Sequence, residues 1–282
     1  MRLLVTGAGG MLGRDVVRVA EAAGHDVLGL PRAELDVTDA AAVGRTVEAA
    51  RPDGVVNCAA WTDVDGAEAD ENAATAVNGP GAGHVADAAA AAGAAVVHVS
   101  SDYVFDGTKQ SPYVESDPPA PVSAYGRGKL AGERAVLGGA GARAVVRSSW
   151  LFGAGGRNFV ETMLALGAER GEVRVVGDQV GCPTWTGHLA PVLVALVAGR
   201  ATGTFHVAGT GAASWHAFAR AIFEAAGMAV RVHETTTGEF PRPAPRPAFS
   251  VLASERRDAP RLPPWQEGLA AYLAERAPGV AA

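Results

Sequence analysis

Arg2-Leu-Leu-Val-Thr6, running into Gly7-Ala-Gly-Gly10-Met-Leu-Gly13, is the stretch on which the reading of the whole chain turns. A short apolar run ends in glycines, and residues 10–23 then carry apolar side chains at helical spacing. The natural reading is a buried strand, a tight turn and a helix. Such a turn puts the unpaired N–H groups and partial positive charge of a helix N-terminus where a dinucleotide pyrophosphate can sit. In that reading Gly7 makes the turn, Gly10 lets the backbone approach the phosphates, and Gly13 lets helix and strand pack closely. The spacing is Gly-x-x-Gly-x-x-Gly, not the Gly-x-Gly-x-x-Gly of the common dehydrogenases.

The same pattern recurs. Val27–Leu30, Gly54–Asn57, Ala94–Val99 and Ala142–Ser148 are short apolar runs. Between them, residues 39–51 (capped by Thr38 or Asp39), 72–92 and 123–137 read as helices. Strands that are apolar throughout and alternate with helices make a parallel sheet covered on both faces. The expected fold is therefore α/β: a Rossmann-type doubly wound parallel sheet over residues 1–150, then a smaller C-terminal α/β substrate-binding cap over residues 151–282. In the second part, 157–170, 187–198, a Ser214-capped segment through 226 and 265–276 read as helices. Val173–Val176 and Val230–Val232 read as strands, and Thr204–Val207 is expected to return to the main sheet. Pro241 to Pro247 holds four prolines in seven residues, so it is a loop.

With 48% apolar residues, 19% charged and a net charge of −6, the chain has no basic field for nucleic acid or a membrane surface. Cys58 and Cys182 lack any metal or redox spacing and read as free thiols in a reducing compartment. The first apolar run is too short for a signal sequence, so the expected location is the cytoplasm. No metal site is expected. His98 alternates with apolar residues in a strand and reads as a core histidine. Oligomeric state is not legible, and a homodimer stays open.

Tyr125-Gly-Arg-Gly-Lys129 places a phenol and an ammonium on one helix face, one turn apart. The chain has only two lysines. An ammonium beside a phenol lowers its pKa, which suits a proton donor in alcohol–carbonyl chemistry, with an expected value between about 6 and 8. Ser101, at the end of a strand, supplies a hydroxyl for the same substrate oxygen. After the second strand the chain has Pro31-Arg32 where an acid would select NAD. Arg32 thus favours NADPH, with NADH still open, and Asp36-Val37 is placed to border the adenine.

The glycine turn, the strand-end serine and Tyr-x-x-x-Lys together resemble the extended short-chain dehydrogenase/reductase superfamily. Further stretches narrow the likeness: Asn57-Cys-Ala-Ala-Trp-Thr-Asp-Val-Asp65-Gly-Ala-Glu68, Ser101-Asp-Tyr-Val-Phe-Asp-Gly107, Arg147-Ser-Ser-Trp150-Leu-Phe-Gly153, Asn158-Phe159, Asp178-Gln-Val-Gly-Cys-Pro-Thr184, Ser214-Trp215, and Arg246-Pro followed by Ser250. These resemble the dTDP-4-dehydrorhamnose reductase family over nearly the whole chain. The resemblance implies NAD(P)H-dependent reduction of the C4 ketone of a dTDP-4-keto-6-deoxyhexose. It implies Tyr125 as acid, Lys129 on the nicotinamide ribose, and Ser101 where the family usually has threonine. Gly10-Met11-Leu12 would bind pyrophosphate, with Ala59-Ala60-Trp61 along the cofactor's ribose and phosphates. Ser101, Asp102 and Trp150 would meet the sugar. For Trp150 the competing reading is core, and for Tyr103 a stiffened loop. Arg246 is the candidate for the substrate diphosphate, against a mobile-loop charge. Asn158 and Gln179 either bind the nucleotide or satisfy backbone groups. Asp63, Asp65 and Glu68 read as loop and capping residues. Two other functions share the fold: a nucleotide-sugar epimerase or dehydratase, and a non-catalytic NADP-binding regulatory subunit.

Overall fold

In the computed structural model, which describes residues 1–276, the strands in chain order are β1 (Arg2–Thr6), β2 (Asp26–Leu30), β3 (Gly54–Asn57), β4 (Ala95–Ser101), β5 (Arg143–Ser148), β6 (Leu151–Phe152), β7 (Glu172–Val176), β8 (Val180–Gly181), β9 (Thr184–Trp185), β10 (Gly203–His206), β11 (Ala213–Ser214) and β12 (Arg231–Thr235). The helices are α1 (Met11–Ala22), α2 (Ala40–Ala50), α3 (Val64–Ala69), α4 (Glu71–Asn78), α5 (Pro80–Ala91), α6 (Ala124–Leu137), α7 (Phe159–Arg170), α8 (Thr186–Ala198), α9 (Trp215–Ala225) and α10 (Trp265–Glu275).

Six strands form one parallel sheet in the order β10-β5-β4-β3-β1-β2. Successive residues of each strand face opposite sides. Leu3, Val5, Val56, Val97 and Val146 therefore pack under Val16 of α1 and Leu189, Leu193 and Val197 of α8. Leu4, Val55, Val96 and Val145 pack under Val43 and Val47 of α2, Val85 of α5 and Val136 of α6. Strand order reverses between β1 and β3, so a crevice opens at their C-terminal ends, where ligands of open α/β sheets bind. A separate cluster joins α7, α9 and α10 to β7 around Phe152, Phe218, Ile222, Trp265 and Tyr272.

The return of 204–207 to the sheet is seen: β10 pairs with β5, Gly203 opposite Ala144 and His206 opposite Arg147. Helix α8, also from the second half, covers the same face as α1. Two local expectations change. The single helix over 72–92 is two, because Pro80 has no N–H to continue the ladder and Gly79 leaves helical geometry at φ −96°, ψ −92°. The acidic stretch read as loop and capping residues contains a helix, α3; Asp63 is its cap, in keeping with the capping part of that reading, and accepts from Gly66 N. Six residues are too few to show helical periodicity. Among the described residues no helix is long and apolar enough to cross a membrane.

Candidate active site

The glycine turn sits at the crevice. Gly7 has φ +68°, and a Cβ there would lie 2.6 Å from Ala59 N; the left-handed backbone and the neighbouring loop both demand glycine. A Cβ on Gly13 would strike the Gly7 carbonyl, so helix and strand pack as closely as expected. Gly10 caps α1 without any side-chain hydrogen bond, leaving the first-turn N–H groups to the cleft. That cleft, about 290 Å³, is lined by Gly7, Gly10, Arg32, Asp36, Val37 and Ala59 to Trp61. Met11 and Leu12 face elsewhere: Met11 packs against Gly156 and Asn158, and Leu12 is in the core. Only their backbone N–H groups are available to a phosphate. Asp36 is folded onto Thr38, accepting from its N–H and hydroxyl at 2.9 and 2.8 Å; these bonds hold its carboxyl below the usual range. The donor set fits a dinucleotide: open helix N–H groups, an exposed arginine past β2, and an apolar bed.

Tyr125 and Lys129 fall one turn apart on α6, as the spacing expects, and Ser101 lies at the Tyr125 end. Ser123 caps α6 by accepting from Gly126 N at 3.1 Å, which sets the turn that presents Tyr125. Tyr125 lies beside the Ser101 hydroxyl and meets Tyr103 edge to face at 5.8 Å. Lys129 is 2% exposed, donates to Val99 O at 2.6 Å, and lies near Cys58 of the cofactor cleft. The expected phenol pKa is overturned. Burial pushes Tyr125 up to about 12, with the Asp102 charge adding to the rise against the Ser101 hydrogen bond. Burial also lowers Lys129 to about 8, partly offset by the Glu133 carboxylate. The lysine, not the tyrosine, is the group brought near neutrality.

Tyr103 leads to a second pocket of about 400 Å³. Phe159, Thr162, Met163 and Leu166 line it from one face of α7, at the i, i+3, i+4, i+7 spacing of a helix. Trp215 and Val175 continue the apolar wall, and Arg174, Arg242 and Arg246 charge it. Arg246 is held by Asp65 at 3.1 Å and by the Ala244 carbonyl at 2.8 Å. Asp65 also takes Arg242 and the Ala244 N–H; burial alone would raise its carboxyl, but these partners leave it lowered. An apolar, aromatic wall with guanidinium groups suits a flat base carrying a diphosphate. The Ser–Tyr–Lys group thus stands between two clefts, Lys129 toward the glycine turn and Tyr125 toward Tyr103.

A family model described as the RmlD substrate binding domain matches residues 1–277, and a dTDP-4-dehydrorhamnose reductase of Streptomyces griseus is 46% identical, covering 96% of this chain and 91% of that one. The chain belongs to the dTDP-4-dehydrorhamnose reductase family. A dTDP-4-keto-6-deoxy-D-glucose reductase of Streptomyces niveus is 44% identical, covering 90% of this chain and 89% of that one. The crystal structure of a dTDP-4-dehydrorhamnose reductase from Bacillus anthracis in complex with NADP has a TM-score of 0.94 at 38% identity, covering 97% of this chain and 99% of that one.

Against this family background, several expected substrate contacts lie elsewhere. Asn158 caps α7, accepting from Glu161 N at 3.0 Å and donating to Gly153 O at 2.8 Å; its amide is committed at both ends and is not presented to the second pocket. Asp102 is 2% exposed and already accepts from three serines. Trp150 stacks flat on Trp215 at 3.4 Å, and Trp215 is the one that lines the pocket. Trp150 nonetheless has φ +48°, a strained backbone typical of functional sites. Gln179 does line the pocket, fixed by Thr237 at 2.9 Å and the Trp215 indole at 3.2 Å.

Sequence reasoning missed Asn78. Its side chain accepts from Trp61 N at 2.9 Å and donates to Trp61 O at 3.1 Å, clamping the cofactor-side loop. The available signal was an asparagine directly before Gly79-Pro80, a helix break with a polar residue to spare. Asn57 ends β3. It accepts from Thr6 Oγ1 at 2.7 Å and from Ala59 N at 3.2 Å, and so joins β1 to the same loop.

Proposed function

We propose that this protein reduces the C4 ketone of a dTDP-4-keto-6-deoxyhexose with NADPH, dTDP-4-dehydrorhamnose to dTDP-L-rhamnose being the reaction to test first. The observation that carries the reading is the placement of Ser101, Tyr125 and Lys129 between a glycine-turn cleft and an apolar, arginine-rimmed pocket. In this reading residues 1–150 chiefly hold the cofactor and the portion after 150 chiefly holds the dTDP-sugar. When bound, the nicotinamide supplies a hydride to the sugar C4. Tyr125 Oη gives its proton to the C4 oxygen, converting the ketone to an alcohol. A phenol with a pKa of about 12 carries that proton throughout the neutral range. The Lys129 ammonium faces the side where the cofactor ribose would lie and stabilises the phenolate left behind. Ser101, whose hydroxyl lies beside Tyr125, orients the phenol toward the C4 oxygen. Trp215 and Phe159 would take the base, and Arg246 with Arg242 the diphosphate.

The deciding experiment is stoichiometric NADPH oxidation against a panel of dTDP-4-keto-6-deoxyhexoses. An epimerase or dehydratase retains its cofactor through turnover, and a regulatory subunit turns nothing over; either outcome would sink the proposal.

Two variants test the binding roles. Arg32→Ala should raise KM for NADPH by about tenfold, the value of one lost charge-assisted hydrogen bond, and leave KM for NADH nearly unchanged; equal effects would show that Arg32 does not read the 2′-phosphate. Asp65→Ala should raise KM for the dTDP-sugar several-fold, by roughly 0.5–1.5 kcal/mol, because two guanidinium groups lose their anchor, while kcat stays within about twofold. An unchanged or lower KM would mean that Asp65 competes with the substrate instead of organising its site.

A further inference from the structure

We propose that Asp102 is a positioning residue, whose buried carboxylate sets the rotamer of Ser101 and ties it to two segments that follow the sheet. The inference rests on the reductase reading above. Asp102 Oδ1 accepts from Ser101 Oγ at 3.0 Å. Its Oδ2 accepts from Ser149 Oγ at 3.0 Å and from Ser250 Oγ at 2.6 Å. Ser149 lies just past β5, directly before Trp150, and itself accepts from Cys182 N at 3.3 Å. Ser250 ends the strap that carries Arg246, and its N–H donates to Val180 O at 2.8 Å. One carboxylate thus gathers the catalytic serine, the turn of Trp150 and the arginine-bearing strap.

The chemistry follows from donor counting. Ser101 gives its only proton to Asp102 and accepts from Tyr103 N at 3.1 Å, which leaves one lone pair for the side occupied by Tyr125. Three hydroxyl donors converge on an ionised carboxylate, which only accepts. Once protonated, the carboxyl must itself donate, and at least one serine has to let go. The titratable and charged groups around it are Tyr103 on the same turn, Tyr125 on α6, Cys182 between β8 and β9, and Arg246 acting beside Tyr103. Burial raises Asp102 to about 6 against the opposing hydrogen bonds from Ser250, Ser101 and Ser149. A group with that pKa accepts from all three serines above about pH 6 and loses that arrangement below it.

The test is kcat against pH from 4.5 to 8, with saturating NADPH and dTDP-4-dehydrorhamnose, for the wild type, Ser250→Ala and Asp102→Asn. The wild type should lose activity below about pH 6. Ser250→Ala removes one donor to the charged form without touching Ser101, so the acid limb should move up by about half to one pH unit. Asp102→Asn should show no acid limb and a kcat lowered at least tenfold, with NADPH affinity by fluorescence titration unchanged. A purely structural role would lower kcat at all pH values and move no limb. Superposable acid limbs in wild type and Ser250→Ala, or wild-type kcat in Asp102→Asn, would overturn the positioning role alone. Should Asp102→Asn not fold, the Ser250→Ala limb decides. No NADPH oxidation by the wild type at any pH would overturn the reductase reading, and this role with it.

Discussion

Tyr125→Phe is expected to lower kcat by about 10²–10⁴-fold, the usual worth of a positioned acid, while NADPH affinity stays within about twofold. The substitution removes the phenol that lies beside Ser101 and leaves the ring that meets Tyr103 edge to face at 5.8 Å. Packing is thus preserved and the proton is not. Steady-state kcat, paired with a fluorescence titration of NADPH, checks both halves; near-normal kcat would remove Tyr125 from the chemistry. The pH profile refines the prediction. The phenol keeps its proton up to about pH 12, whereas Lys129 loses its charge above about 8. Wild-type activity should therefore decline above about pH 8 through the lysine, because the phenolate formed in the reaction then loses its neighbouring cation. A limb that moves to lower pH in Glu133→Gln, where Lys129 loses its neighbouring carboxylate, would assign it to Lys129.

What could be read from the sequence was whatever depends on near neighbours. Gly7, Gly10 and Gly13 are one turn; Tyr125 and Lys129 are one helical turn apart; Ser101 ends an apolar strand. Each is set by local backbone geometry, and each falls where expected. The misreadings come from contacts that cross the chain. The family resemblance sets Asp102 against the sugar, whereas in the fold Ser250, 148 residues on, donates to its carboxylate. Asp65 looked like a capping residue, but Arg246, 181 residues on, pairs with it. Asn158 was left open between ligand and backbone, and only tertiary packing shows both ends of its amide in use. The rise of the Tyr125 pKa belongs to the same class. Helical spacing brought the ammonium into the reasoning, whereas desolvation depends on everything packed around the ring. The broken helix at Pro80 differs: its signal was present, and an alanine-rich run obscured it.

The second large effect concerns stability, and it lies under the catalytic lysine. Arg147 of β5 and Glu133 of α6 form a paired contact, Nη2 to Oε2 at 2.7 Å and Nε to Oε1 at 2.9 Å, with both side chains at most 5% exposed. Ser100 Oγ also donates to Glu133 Oε1 at 2.6 Å. His206 Nδ1 faces the carbonyls of Tyr113 and Ala253, so it carries the proton, and Nε2 accepts from Arg147 Nη1 at 3.2 Å. Four elements of the sheet layer therefore meet at one satisfied network. Arg147→Met leaves Glu133 charged and buried without its partner, a change that costs about 3–5 kcal/mol and should lower Tm by roughly 6–15 °C in a chain of this size. Removing both charges, in Glu133→Gln with Arg147→Met, should recover much of that loss, since an unpaired buried charge costs more than its absence. Thermal unfolding of the single and double variants makes the comparison; a double variant no more stable than Arg147→Met would show that the pair's desolvation is not the governing cost. The same carboxylate lies one turn from Lys129 and raises its pKa against burial. Glu133→Gln should accordingly shift the alkaline limb of activity to lower pH, so the ion pair that fastens α6 to the sheet also helps keep the lysine charged near neutrality.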